Sequence, residues 1–136
     1  MSVRPKRKTH AIELDAEGAL TTERGIELEV PDGWTPEHLV LAALARCSVN
    51  SLEHHARRRS LGGTTASASG VVAPREADDV WAFVEIECGI EAHLEPAPSA
   101  DGLRKLLGRA ERGCFVGSSL TAKPRYRWTV NGERVS

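Results

Sequence analysis

The stretch Thr35-Pro36-Glu37-His38-Leu39-Val40-Leu41-Ala42-Ala43-Leu44-Ala45-Arg46-Cys47-Ser48-Val49-Asn50-Ser51-Leu52 decides how the rest of the chain is read. Thr35 has the side chain of an N-cap, Pro36 suits a first helical position where its missing N–H costs nothing, and Glu37 puts negative charge in the first turn. A helix therefore starts here. Leu39 to Ala45 carries no charged side chain, whereas a helix lying on a protein surface keeps a polar face. The pattern predicts a long central helix, buried through its first half. Near its middle stands one thiol, Cys47, beside the small or polar Ser48, Asn50 and Ser51, where a purely structural core helix would continue with Leu or Ile. Charge returns in Glu53, His54, His55, Arg57, Arg58 and Arg59, so the helix is expected to leave the core, set its arginines against the negative end of its dipole, and stop at Gly62-Gly63.

On the N-terminal side, residues 1–8 include Arg4-Pro5-Lys6-Arg7-Lys8 and read as a solvated basic arm; residues 9–136 read as a single domain. Thr9 to Leu14, Ala19 to Thr22 and Ile26 to Val30 read as strands separated by the turns Asp15-Ala16-Glu17-Gly18 and Glu23-Arg24-Gly25. They make a three-stranded antiparallel meander. Beyond the central helix, Thr64 to Val72 and Trp81 to Ile90 read as paired strands, and in the second of these Val84, Ile86, Cys88 and Ile90 share one face while Glu85 and Glu87 share the other. Cys88 is therefore expected as a small buried core residue. Ser99 reads as the N-cap of a helix over Ala100 to Arg112 that ends at Gly113, Phe115 to Leu120 adds one more helical turn, and Arg125 to Val130 alternates as the last strand before a tail opened by Asn131-Gly132. The order is βββ-α-ββ-α-β, an α+β fold.

A chain of 136 residues suffices for one domain that buries roughly two-thirds of its unfolded surface. Lys and Arg number 18 against 19 Asp and Glu, which removes any global attraction to nucleic acid or to an anionic membrane. No apolar run approaches the roughly 20 residues of a bilayer span, and the first residues lack the apolar region of a signal peptide, so a cytoplasmic location is expected. Three cysteines, an odd number widely spaced, match neither a secreted disulfide framework nor a Cys-x-x-Cys zinc site.

Gly62-Gly63 lacks the setting of a phosphate loop, His54-His55 has no i, i+4 partner for a metal, and no nucleophile elbow supports a serine hydrolase. The thiols remain. Cys47 lies within one helix and Cys114 just past the end of another, so the two can meet at a packed interface, and the residues alone leave open a redox-active pair or two inert buried cysteines.

Thr35-Pro36-Glu37, the apolar run, Cys47, and then Ala110-Glu111-Arg112-Gly113-Cys114-Phe115-Val116-Gly117-Ser118-Ser119-Leu120 resemble the OsmC/Ohr family of osmotically inducible and organic hydroperoxide resistance proteins. The resemblance runs from the meander to the last strand. It implies an OsmC-like fold in an intertwined homodimer, and a cysteine-based peroxidase that reduces organic hydroperoxides in oxidative stress defence. It makes Cys47 the peroxidatic cysteine, Cys114 the resolving one and Glu37 the active-site carboxylate. It also implies a meander arginine near the thiolate; the turn Asp15 to Gly18 has none, and Arg24, one turn later, is the nearest substitute. No bound cofactor or metal is implied, only an external dithiol or redoxin to reduce the Cys47–Cys114 disulfide. Leu39, Leu44 and Phe115 would supply an apolar wall favouring organic substrates. Ten residues of helix set Glu37 about 15 Å along the axis from Cys47 and about 80° around it, so the two can serve one site only across a two-fold interface. The alternatives are a non-catalytic, dimeric small-molecule-binding protein of the same fold, and a nucleic-acid-associated protein using Arg4 to Lys8 and Arg57 to Arg59.

Overall fold

In the computed structural model, which describes residues 6–57 and 59–135, the elements run β1 (Ile12–Leu14), β2 (Ala19–Thr22), β3 (Glu27–Glu29), α1 (Pro36–Ala56), β4 (Ser60–Pro74), β5 (Trp81–Glu95), α2 (Ala100–Arg112), α3 (Phe115–Ser119), β6 (Arg125–Val130) and β7 (Glu133–Val135). The class is α+β, as expected. Contacts divide the chain into residues 1–35 and residues 36–136. Most of the proposed basic arm, residues 1–5, lies outside the described residues, as does Arg58.

The first unit is the meander, antiparallel in the order β1-β2-β3. Its turns are built as their residues dictate. The Asp15 carboxylate accepts from the N–H groups of Glu17 and Ala19, both at 2.9 Å, and Gly18 takes φ +90°. Thr22 Oγ1 does the same for Arg24 and Ile26 at 3.3 and 3.2 Å, with Gly25 at φ +81°. Ile12, Leu14, Ile26 and Leu28 are exposed, at 65, 67, 65 and 55% of their full surface.

In the second unit a four-stranded sheet, β4-β5-β6-β7, carries the core. β4 and β5 form a long antiparallel pair, β6 runs parallel to β5, and β7 folds back on β6. The parallel step needs a crossover, and α2 and α3 supply it. Along β5 the inward row is Ile86, Cys88, Ile90, Ala92 and Leu94, all buried, so the alternation placed Cys88 correctly; Val84, expected with them, is 37% exposed. Trp128 is buried on β6 and donates from Nε1 to Glu111 Oε2 at 2.9 Å, tying the sheet to α2.

Three readings are corrected. The buried stripe of α1 is Leu44, Ser48, Ser51, Leu52 and Ala56, all but Leu44 in its second half, whereas Ala42 and Ala43 are exposed. Small side chains at 48 and 51 let this half sit close on α2, and Ser51 donates to the Ala110 carbonyl at 2.6 Å. α1 also ends at Ala56, not at Gly62-Gly63: Arg57 takes the left-handed conformation at φ +55°, and the two glycines fall inside β4, where its register with β5 shifts. Finally, Asn131 and Gly132, at φ +51° and +80°, form a hairpin turn into β7 instead of opening a tail.

α2 begins as read: Gly102 N–H donates to Ser99 Oγ at 3.0 Å. Gly113 closes it for reasons of space. A Cβ there would lie 2.6 Å from His55 Nε2 and 2.9 Å from Ser51 Oγ, so the close approach of α1 and α2 needs a glycine.

Candidate active site

Cys47 stands on α1 and Cys114 at the N-cap of α3, and the fold brings them together: their side chains are within hydrogen-bonding reach and their ionisations depend on each other. Both are free thiols. Their surroundings differ. Cys47 is half-buried, whereas Cys114 is fully buried.

Besides Cys47, three groups approach the Cys114 sulfur. The Gly117 N–H donates to it at 3.4 Å, and Ser48 Oγ lies 3.5 Å away. On the far side of Ser48, the Cys88 thiol donates to the same hydroxyl at 3.7 Å. Tyr126, whose register partner across the parallel β5–β6 pair is Cys88, brings its hydroxyl to the same spot. A Cβ built on Gly117 would be 2.7 Å from the Tyr126 hydroxyl, 3.4 Å from Cys114 Sγ and 3.5 Å from Leu44 Cδ1, so these atoms converge there.

Burial works to raise the Cys114 thiol, but hydrogen bonding from Ser48, the Gly117 N–H and Cys47, with the Tyr126 hydroxyl nearby, outweighs it, and its pKa falls below the ordinary thiol value. Cys47 moves the other way. Burial raises it, the Val116 N–H lowers it, and the hydrogen bond to Cys114 keeps a proton on it. The two shifts run in opposite directions, so of the two sulfurs Cys114 is the one on which negative charge is more readily held. Cys88 is raised by burial and stays a neutral thiol.

Glu37 is exposed on the first turn of α1, nearly three helical turns before Cys47, and does not join the thiols within one chain. Arg24 is an exposed turn residue of the meander. Phe115 is 65% exposed and follows Cys114 directly. Sequence reading missed Tyr126 and the hub position of Ser48. The signal for Ser48 was a hydroxyl on the Leu44-Leu52 face of α1; for Tyr126 it was the inward phase it shares with Trp128 and Val130.

Among the described residues no three His, Cys, Asp or Glu side chains gather as metal ligands, and no helix is long and apolar enough to cross a membrane. Two surface concavities lie over the sheet, one lined by residues such as Ser69, Glu87 and Arg125 and the other by residues such as Ser67, Glu91 and Arg127, and neither contains a cysteine.

The family profile described as OsmC-like protein matches residues 29–129, which include every thiol of the site. No curated protein matches the sequence. Among solved structures, the chain resembles an OsmC-like protein of unknown function from Vibrio cholerae, at 15% identity and a TM-score of 0.74 over 90% of this chain and 99% of that one. It also resembles an organic hydroperoxide resistance protein OsmC from Legionella pneumophila, at 17% identity and a TM-score of 0.60, covering 93% and 98% of the two chains. An organic hydroperoxide resistance protein from Elizabethkingia anophelis aligns at 17% identity and a TM-score of 0.62, over 93% and 98%. At these identities the likeness is one of fold, and it agrees with the profile match: the chain belongs to the OsmC-like family.

Proposed function

We propose that the protein is a thiol peroxidase that reduces organic hydroperoxides. One observation carries the reading: two cysteines far apart in sequence, one half-buried and one fully buried, meet within hydrogen-bonding reach of each other. The exposed member, Cys47, is the one a hydroperoxide can reach. As the substrate approaches, the Cys47 proton passes to Cys114, and the Cys47 thiolate attacks the distal oxygen. The O–O bond breaks, Cys47 becomes a sulfenic acid, and the alkoxide leaves. Cys114 returns its proton to the alkoxide, and its thiolate then attacks the Cys47 sulfur. Hydroxide leaves and a Cys47–Cys114 disulfide remains. An external dithiol or redoxin restores both thiols, which suits a reducing, cytoplasmic setting.

In this reading the working unit is a homodimer with its sites at the subunit interface. Glu37 acts on the thiol pair of the other copy, and Arg24 takes the place of the missing meander arginine. The exposed apolar residues of the meander and of early α1 support a partner surface of this kind. Leu39 and Phe115 would line the approach and favour organic substrates over hydrogen peroxide, whereas Leu44, expected with them, is fully buried in the core.

The test is to add one equivalent of cumene hydroperoxide to reduced protein and map the product by peptide mass. A Cys47–Cys114 link formed much faster than a small free thiol oxidises supports the enzyme. Oxidation no faster than that of a small thiol replaces it with the second reading, a non-catalytic dimeric binding protein. The raised Cys47 pKa and the arginine-free turn at Asp15 to Gly18 favour that alternative.

A further inference from the structure

The Tyr126 hydroxyl oxygen is buried and makes no formed hydrogen bond. A buried orphan of this kind is costly, and it persists where some other state of the protein satisfies it. Ser48 and Cys114 are its polar neighbours, close enough to influence its ionisation without the geometry of a completed bond. Its pKa is pushed well above the usual phenol range, chiefly by burial, so the group keeps its proton and can only donate to an anion. Ser48, at 1% exposure, is arranged to the same end. It accepts from the Cys88 thiol, which leaves its own proton free to point at Cys114. With Cys88 donating to Ser48, the hydroxyl proton can be passed on to Cys114 when that sulfur is a thiolate, giving a relay Cys88 S–H to Ser48 O–H to Cys114.

We infer that Ser48, Tyr126 and Cys88 form a donor set for the Cys114 thiolate, whose task is to make Cys114 the leaving group when the disulfide is reduced. The inference rests on the redox reading above and assigns the reductive half-reaction to named residues. The incoming thiolate, from a dithiol, attacks the half-exposed Cys47 sulfur, since Cys114 is sealed from solvent. The Cys47–Cys114 bond breaks, and its electron pair stays on Cys114, where Ser48, Tyr126 and the Gly117 N–H receive the charge. Cys47 is left in a mixed disulfide with the reductant. The reductant's second thiolate then attacks its own bound sulfur, releases Cys47 as a thiolate that takes up a proton, and departs as a disulfide. Two electrons have passed from the dithiol to the protein. A leaving thiol of lower pKa departs faster, so each donor removed slows this step.

The disulfide for the test is made with diamide, so that a failure of hydroperoxide oxidation, which would count against the peroxidase, is kept apart from a failure of the donor set. Reduction by excess dithiothreitol is followed for the wild type, Tyr126→Phe and Ser48→Ala. Tyr126→Phe keeps the ring that stacks on Trp128 at 5.9 Å and deletes only the orphan hydroxyl, so its reduced form should unfold no more easily than the wild type. Each variant should be reduced roughly three- to tenfold more slowly. In a Cys47→Ser background, the thiolate absorbance of Cys114 near 240 nm should titrate below the ordinary thiol value, and each donor deletion should move that midpoint upward. Wild-type reduction rates in both variants, or a midpoint that neither deletion moves, overturns the inference. A midpoint shift that parallels the loss of rate establishes it, because a merely structural role would change the unfolding curve and leave the titration in place.

Discussion

The two sulfurs of the proposed pair differ in exposure and in the direction of their pKa shifts, and alkylation should resolve them. In native reduced protein, iodoacetamide should label Cys47 alone, with Cys88 and Cys114 protected until the chain unfolds, as read by peptide mass. Because burial and the Cys114 hydrogen bond raise the Cys47 pKa, the thiolate fraction is small at neutral pH and grows as pH rises. The labelling rate should therefore climb with pH and reach half its maximum above the ordinary thiol value. A midpoint below it would place the charge on Cys47 instead. The pairing of Cys47 with Cys114 was legible in the sequence, because the residues around both carry a family pattern. Tyr126 was not legible: its role arises from a parallel strand pairing that sets it beside Cys88, and nothing near Tyr126 in the chain announces that neighbour.

Between elements, α1 and α2 approach closely at Gly113. Ser51 Oγ is buried and already bonded to the Ala110 carbonyl, so it cannot yield to a new methyl 2.9 Å away, while the half-exposed His55 ring can swing aside. Gly113→Ala should thus cost about 1–3 kcal/mol of stability in urea unfolding, and a loss below about 0.5 kcal/mol would mean that the two helices separate easily. Local chemistry made parts of this layer readable. Ser99 and Gly113 frame α2 as their side chains suggest, and Asp15 and Thr22 set the meander turns. The end of α1 was misread because Gly62-Gly63 is a strong stop signal in isolation, yet β5 offers it a strand to pair with. Arg57 then takes the unfavourable left-handed turn in its place. The burial of α1 was misread for a related reason: an uncharged run says that water is avoided, not which surface excludes it.

For the molecule as a whole, apolar surface is left uncovered in a single chain at Ile12, Leu14, Ile26 and Leu28 of the meander, and at Ala42 and Ala43 on α1. Exposed rows of this kind mark association sites. Sedimentation at micromolar concentration should return twice the chain mass, and Leu28→Lys should shift the population toward monomer; a wild-type monomer would remove the shared-site reading of Glu37. The crossover from β5 to β6 has one more consequence. Cys114 rides on it, whereas Cys47 and Cys88 precede it, so a chain emerging from the ribosome exposes two sulfurs well before the third exists. If Cys47 and Cys114 are the redox couple proposed above, an oxidant that reaches the polypeptide before residue 114 is made meets the wrong two sulfurs, and the right partnership waits for the crossover to be synthesised.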